Sequence, residues 1–372
     1  MVFYNDNAMM KDKKVLKRVL IMAGGTGGHV FPGLALARYL RENGVEVHWL
    51  GTRLGLESRL VPEANFPLHF IIIGGLRGKG IKPFLTAPIK IATAILQSRR
   101  IIKEINPDIV IGMGGFVSGP GGIASWLLRR PLIIHEQNAK AGLTNKLLSR
   151  IASKVLAGFP ESFSPEANVV MTGNPVRTEI ENLPPPRERL EPAHAPFRLL
   201  VLGGSLGAQA INDALPKAIS KLTPEERPEI LHQTGDKNFE ATKKYYESIG
   251  IEATIKPFIK DMAEAYAWAD MVLCRAGALT VAELCAVGLG AIFVPFPHAV
   301  DDHQTANANF MVKNRAALCV QQAELTESRL ADIVREFAKS PERRLAMAEA
   351  AYQLRNAHVV ERIFEICKEI CP

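Results

Sequence analysis

The sequence predicts an α/β protein with two doubly wound parallel sheets. Short, continuously apolar segments alternate with helix-like segments along the 372 residues, a pattern typical of strands that a parallel sheet buries on both faces. A glycine-rich turn at 23–29 follows such a strand and precedes a helix, and a second turn of this kind occurs at 203–208. Because the chain is also longer than most single domains, we expect two domains of the same class.

The first half of the chain supplies the first sheet. Its predicted strands span 18–23, 45–51, 68–73, 108–112 and 131–135, and its predicted helices span 32–43, 84–105, 123–129 and 142–151. Two helix ends have clear signals, since Asn43 and Gly44 form a C-cap sequence and Asn106 and Pro107 close the long helix.

The second half repeats the pattern after a break. The segment 182–196 holds five prolines and many charges, which predicts a linker or an irregular crossing. The later strands are predicted at 197–202, 229–233, 253–257, 271–274 and 291–294, and the later helices at 208–221, 237–248, 279–287, 301–314, 326–338 and 342–368. We therefore predict a loose leader at 1–17, a first domain at 18–176 and a second at 177–372, with the last helix packing back toward the first domain. Ligands of such domains are expected in a cleft, at the carboxyl ends of the strands.

The composition is that of an ordinary globular protein, with 47% hydrophobic and 22% charged residues. The formal net charge of +7 favours anionic partners such as nucleotides or acidic lipid. The five cysteines form no Cys-x-x-Cys pair, so we expect reduced thiols and no zinc site. No apolar run is long enough to span a membrane, so any membrane contact is expected to be peripheral.

Both glycine turns offer bare backbone N–H groups to a ligand at a helix N-terminus. The first turn lacks the third glycine of the dinucleotide fingerprint because Val30 stands there, and strand 45–51 ends without the acidic residue that holds a ribose in NAD enzymes. The Walker lysine is also missing. The turns therefore suit phosphates or sugars outside a standard NAD or ATP site, and the alternative is a tight turn without a ligand.

A nucleotide pocket is predicted at 275–283, directly after strand 271–274. The N-terminus of the following helix offers N–H groups to a diphosphate. Glu283, about one turn further in, can accept hydrogen bonds from two ribose hydroxyls. The alternative is a carboxylate that only caps the helix.

Two other stretches carry side chains suited to sugar chemistry. The segment 295–307 is rich in groups that bind hydroxyls, and its histidines and aspartates could mimic a metal cluster. The sequence holds no Asp-x-Asp pair, however, and we predict no metal. His29 ends the first glycine turn, where an imidazole can act as a general base, and a histidine that only orients the loop is the alternative.

A basic and apolar segment after strand 68–73 favours an anionic membrane surface, with a solvated loop and an ordinary amphipathic helix as the alternative. The residues predicted to meet the membrane are Arg77, Lys79, Ile81, Lys82, Phe84 and Leu85. No aromatic platform or nucleic-acid motif accompanies this charge, so we predict no nucleic-acid partner.

Several motifs in one order resemble a known family over residues 18–360. They are 24–32, 114–120, 135–138, 173–177, 203–208 and 275–283. Together they resemble the MurG family of peptidoglycan N-acetylglucosaminyltransferases. The resemblance implies a GT-B fold with two Rossmann-like domains and no essential metal or other cofactor.

The resemblance also implies the reaction. N-acetylglucosamine (GlcNAc) passes from UDP-GlcNAc to the 4-hydroxyl of N-acetylmuramic acid in lipid I, which is linked to undecaprenyl diphosphate, and the product is lipid II with inverted configuration. The implied location is peripheral, at the cytoplasmic face of the plasma (inner) membrane. Cell-wall and division-complex proteins are further candidate partners.

The resemblance assigns the first domain to the acceptor. It places Thr26, Gly27 and Gly28 on the donor side of the cleft and makes His29 the candidate base for the acceptor hydroxyl. The lipid diphosphate is expected at the glycine loops 26–29 and 114–121. Phe116 departs from the family, where tyrosine is common.

The resemblance assigns the second domain to the donor. It implies that Asn138 and Gln304 contact the sugar and that the Ile259 backbone reads uracil. A larger set is implied for the phosphates and the ribose, with Glu283 on the ribose hydroxyls. That set comprises Arg177, Ser205, Ala278, Leu279, Thr280, Val281, Ala282 and Glu283.

Two other functions remain open from the residues alone. One is a different nucleotide-sugar enzyme of the same fold, such as a UDP-GlcNAc 2-epimerase, which would act without an acceptor. The other is a membrane-associated scaffold without catalysis, which would tolerate loss of His29 and Glu283.

Overall fold

The computed structural model describes residues 15–74, 81–164, 168–204 and 207–371, apart from the side chains of 81–86 and 300. The chain divides into two compact units. The first unit holds the residues up to His135, Leu143–Leu156 and the residues from Val360 onward, and the second holds Glu136–Gly142 and Ala157–Val359.

The first sheet has seven strands among the described residues, in the order β3-β2-β1-β4-β5-β6-β7. Its strands are β1 (Arg18–Ala23), β2 (Glu46–Gly51), β3 (Leu68–Phe70), β4 (Ile109–Gly114), β5 (Leu132–Glu136), β6 (Lys154–Ala157) and β7 (Val169–Met171). β1 pairs in parallel with both β2 and β4, so the strand order reverses there. Ligands of doubly wound sheets bind at such a reversal, beyond the carboxyl ends of the strands.

The second sheet has six strands among the described residues, in the order β10-β9-β8-β11-β12-β13, and all its pairs are parallel. Its strands are β8 (Arg198–Leu202), β9 (Glu229–Gln233), β10 (Thr254–Lys256), β11 (Met271–Cys274), β12 (Gly290–Phe293) and β13 (Ala317–Cys319). The reversal lies between β8 and β11, so the turns after these two strands share one edge of the sheet.

Helices connect the strands in both units. The early helices are α1 (Gly27–Glu42), α2 (Glu57–Glu63), α3 (Ile81–Ile105), α4 (Ser118–Leu127), α5 (Leu143–Leu148), α6 (Thr178–Glu181) and α7 (Pro186–Leu190). The later helices are α8 (Gln209–Ser220), α9 (Phe239–Ser248), α10 (Met262–Trp268), α11 (Ala278–Val287), α12 (His303–Lys313), α13 (Glu327–Ala338), α14 (Pro341–Gln353) and α15 (Val359–Ile370). Among the described residues, no helix is both long and apolar enough to cross a membrane.

The structure corrects the predicted bounds of several elements, among them α4, which spans Ser118–Leu127 and not 123–129. α1 begins at Gly27 and not at 32, and the bare Cα of Gly27 lies against the Phe31 ring one turn further along the same helix. The helix predicted at 342–368 is two helices, α14 and α15, and His358 between them has a left-handed φ of 58°. The proline-rich segment contains α7, which begins at Pro186, because proline is well accommodated in the first turn of a helix.

A buried histidine network joins β9 to the helices around it. Nε2 of His232 lies 3.0 Å from Oδ1 of Asn212, and its Nδ1 lies 3.2 Å from the Tyr246 hydroxyl. Because the Asn212 amide nitrogen donates to the Thr234 carbonyl, its Oδ1 accepts from Nε2–H and the tyrosine donates to Nδ1. Burial lowers the pKa of His232 to about 3, so the imidazole is neutral at physiological pH.

We expect acid to destabilise the second unit through His232. Below the ordinary pKa of 6.5, His232 is protonated in the unfolded chain, whereas the buried imidazole of the folded chain stays neutral down to about pH 3. Stability is therefore lost as the pH falls through this window, by about 2 kcal/mol at about pH 5. Urea unfolding near neutral pH and at about pH 5 measures this loss, which should be smaller in His232→Gln, and equal losses in the two proteins would contradict it.

Candidate functional site

The glycine loop of the first unit connects β1 to α1. Gly25 has a left-handed φ of 92°, and Thr26 is the extended N-cap residue of α1. His29 therefore lies in the first turn of α1, where it is half-buried. The loop places the predicted residues Thr26, Gly27, Gly28 and His29 in one short segment at the carboxyl end of β1.

The turn after β4 packs directly against this loop. A Cβ on Gly114 would stand 2.5 Å from Nδ1 of His29, so the imidazole lies against the bare Cα of this glycine. A Cβ on Gly115 would stand 2.2 Å from the Gly24 carbonyl oxygen. Because both glycines also have left-handed φ values, 106° and 81°, any other residue at either position would disturb the contact with His29 or the loop. Glycine motifs that are far apart in the sequence therefore form one surface in the first unit.

The second unit holds Glu283 in the second turn of α11, with 5% of the residue exposed. Its Oε1 accepts from Nη2 of Arg177 at 3.1 Å, and its Oε2 accepts from the Tyr266 hydroxyl at 2.9 Å. The alternative of a capping carboxylate is wrong, because Gly277 is the N-cap residue and the first turn carries no acidic residue. Burial raises the pKa of Glu283, whereas Arg177 and the tyrosine hydroxyl oppose that shift.

Asn307 links two other predicted segments of the second unit. This fully buried side chain accepts from the Ala139 N–H at 2.8 Å and donates to the Ala276 carbonyl at 3.1 Å. Its amide nitrogen also lies 3.3 Å from Oδ1 of Asn138. The Asn138 amide in turn donates to Oε1 of Glu136 at 3.0 Å. The segment that carries Asn138 is therefore fixed beside the turn that leads into α11.

Other predicted donor residues have protein partners in this structure. Oε1 of Gln304 accepts from the Phe296 N–H at 2.9 Å. The Ile259 N–H donates to Oε1 of Gln233 at 3.1 Å. Ser205 lies outside the described residues. Along α11 the residues named for the diphosphate, Ala278–Ala282, occupy the first turn and the start of the second.

Three contributors to this geometry were missed by the sequence analysis. Tyr266 and Glu57, whose Oε2 accepts from the Gly25 N–H of the first glycine loop, carry no motif, and Asn307 entered only as the last residue of the segment 295–307. Each acts through contacts with residues distant in sequence, so local patterns hold no signal for Tyr266 or Glu57. Within the described ranges, no cluster of His, Cys, Asp and Glu is arranged to hold a metal ion.

Two parallel sheets with glycine turns at their reversals define a doubly wound α/β protein with its ligands at the carboxyl ends of the strands. Residues 19–157 match the glycosyltransferase family 28 N-terminal domain, and residues 198–363 match its C-terminal domain. The chain belongs to glycosyltransferase family 28 and has the GT-B fold, as the sequence predicted.

Two relatives of this chain are named for the same activity. UDP-N-acetylglucosamine–N-acetylmuramyl-(pentapeptide) pyrophosphoryl-undecaprenol N-acetylglucosamine transferases from Marinobacter nauticus and Nitrosococcus oceani are each 52% identical over 353 residues. The alignments cover 95% of this chain and 97% and 98% of those proteins. The resemblance to the MurG family is thereby confirmed.

Solved structures support the same family. A crystal structure of Acinetobacter baumannii MurG has a TM-score of 0.82 and 41% identity, covering 95% of this chain and 99% of that one. A UDP-N-acetylglucosamine 2-epimerase has a TM-score of 0.63 at 13% identity, covering 94% of this chain and 95% of that one. At that identity the epimerase shares the fold alone, so it does not support the alternative reaction.

Proposed function

We propose that the protein transfers GlcNAc from UDP-GlcNAc to the 4-hydroxyl of N-acetylmuramic acid in lipid I, forming lipid II. The observation that carries this proposal is the 52% identity, over 95% of the chain, to transferases named for that reaction. Further support comes from the ion pair of Arg177 and Glu283, which places a guanidinium and a carboxylate beside the first two turns of α11.

The test uses purified protein, UDP-GlcNAc and a lipid I analogue. We expect UDP release that depends on the acceptor, at equal rates with and without EDTA. Absence of UDP release would overturn the proposal. Formation of UDP-N-acetylmannosamine without acceptor would instead favour the epimerase reaction.

The donor half of the mechanism belongs to the second unit. The Glu283 carboxylate accepts hydrogen bonds from the ribose hydroxyls, and the N–H groups at the start of α11 face the diphosphate. Charge develops on this diphosphate as UDP leaves. The helix N-terminus, Arg177 and Ser205 stabilise that charge. Asn138 and Gln304 orient the sugar, and the Ile259 backbone reads the uracil.

The acceptor half belongs to the first unit. His29 takes the proton from the acceptor hydroxyl, which attacks the anomeric carbon on the face opposite UDP. A single displacement of this kind inverts the configuration. Thr26, Gly27 and Gly28 line the same loop, and the turn after β4 contributes to binding the lipid diphosphate.

We also propose that the protein binds the membrane surface through the basic segment of residues 77–85. Arg77 and Lys79 lie outside the described residues, as do the side chains of Ile81, Lys82, Phe84 and Leu85. Support comes from the adjoining residues of α3, where Ile89 and Leu96 are 71% and 64% exposed. Basic groups beside exposed apolar side chains suit an anionic lipid surface. The proposed location is the cytoplasmic face of the inner membrane, where cell-wall and division proteins would be partners in cell growth and shape.

Reversing the charges of Lys79 and Lys82 to glutamate is expected to weaken binding to anionic vesicles by about tenfold or more at low salt. Each basic residue near such a surface contributes about 1 kcal/mol. Sedimentation with anionic and neutral vesicles measures the effect, and Lys237→Glu with Lys244→Glu is the control, because both lysines are exposed in the second unit. Equal binding of the wild-type protein to both vesicle types would reject the electrostatic contact.

A further inference from the structure

Glu57 is a completely buried carboxylate at the start of α2, and no step of the proposed mechanism uses it. Its Oε2 accepts from the Gly25 N–H at 2.9 Å. Its Oε1 accepts from both the N–H and the hydroxyl of Thr52, each at 2.8 Å. Burying a carboxylate is costly unless hydrogen bonds replace its water, and these three donors do so.

Three glycines make room for this carboxylate. A Cβ would stand 2.7 Å from Oε1 if placed on Gly24, 2.6 Å from Cγ if placed on Gly51, and 2.0 Å from Oε2 if placed on Gly55. None of the three has a left-handed φ, so the space taken by Glu57, and not backbone conformation, is what excludes a side chain. The backbone of two separate turns is thus shaped around one acidic group.

The contact with Gly25 fixes the loop that leads into α1. Glu57 holds the N–H of Gly25, while the Leu56 N–H donates to the Gly25 carbonyl at 3.3 Å. Gly25 is therefore held on both sides by the start of α2. The helix that carries His29 begins two residues later, at Gly27, so a shift of Gly25 would be passed to the imidazole.

The same contact changes how the loop can bind anions. The Gly25 N–H is committed to a carboxylate of the protein and does not face a substrate phosphate. A fixed negative charge below the loop also opposes a second anion at this position. The ligand groups of the loop therefore begin at Thr26, on the side of His29.

We infer that Glu57 is a positioning residue of the acceptor site, which holds the first glycine loop in the conformation that presents His29. This role rests on the proposed function of that loop. Loss of the contact should therefore affect the acceptor and the chemical step, while donor binding in the second unit stays intact.

Two variants test the role. Glu57→Gln keeps the shape of the side chain, but its amide nitrogen then faces a backbone N–H and one hydrogen bond is lost. Gly55→Ala keeps the negative charge, but the new Cβ displaces the carboxylate. Gly74→Ala is the matched control, because a Cβ there meets nothing within 4 Å. For both variants we expect kcat/KM for a lipid I analogue to fall by about tenfold or more, with the Kd of UDP-GlcNAc unchanged.

The outcomes separate the two proposals. Wild-type protein without transferase activity would overturn the proposed function and this role with it. Active wild-type protein with unaltered acceptor kinetics in both variants would overturn the role of Glu57 alone. An equal loss of donor affinity and acceptor kinetics would also overturn it, because that result indicates general disruption and not positioning of His29.

Discussion

Replacement of Glu283 by alanine is expected to weaken UDP-GlcNAc binding by about 100-fold or more. In the proposed role, this carboxylate accepts hydrogen bonds from two ribose hydroxyls. Each hydrogen bond to a charged group contributes about 1.5–3 kcal/mol to binding. The loss also leaves the Arg177 guanidinium without the carboxylate partner that lies 3.1 Å away. Removing one member of a buried ion pair also lowers the stability of the folded protein, so folding of the variant has to be checked separately from donor affinity.

The measurement is a titration of UDP-GlcNAc by calorimetry, with circular dichroism to show that the variant is folded. Glu264→Ala is a suitable control, because this exposed glutamate lies on the neighbouring helix α10. Tyr266→Phe should give a smaller loss, since it removes only the hydrogen bond that orients Oε2. Unchanged donor affinity in folded Glu283→Ala would remove Glu283 from the ribose.

Replacement of His29 by alanine is expected to lower kcat by about 10²–10⁴-fold, the range for a general base, with little change in donor affinity. Its location supports this role: the imidazole lies in the first turn of α1 against the bare Cα of Gly114. The residues proposed to bind the donor, Arg177 and Glu283, lie in the second unit, so donor affinity should be unaffected. The two substitutions therefore separate donor binding from chemistry.

Single-turnover kinetics with saturating UDP-GlcNAc measure the His29 effect. His69→Ala is the control, because His69 is a half-buried histidine of the same unit on the short strand β3. Gly114→Ala should reproduce part of the His29 loss, since its Cβ would collide with Nδ1. Near-normal kcat in folded His29→Ala would leave the histidine as a residue that only orients the loop.

Local sequence patterns predicted most of the fold. Glycine turns and continuous apolar strands specified the two parallel sheets and the central strands, including β1 at 18–23 and β11 at 271–274. The strands β6, β7 and β13 were missed because three or four residues are too few to show a period. The break between α14 and α15 was missed because no proline or glycine marks it.

The sequence by itself determined the family, the alternation of the longer strands and helices, and the motifs that carry His29 and Glu283. These properties depend on local composition and spacing, which are readable along the chain. Only the tertiary structure decided what surrounds those residues: Glu57 beneath Gly25, and Arg177 with Tyr266 around Glu283. Such partners are chosen by sheet order and helix packing, which bring distant residues together without leaving a pattern in the sequence. Glu57 illustrates the difference. β2 ends without an acidic residue, and the carboxylate beside the glycine loop comes instead from the start of α2, where it accepts from the Gly25 N–H.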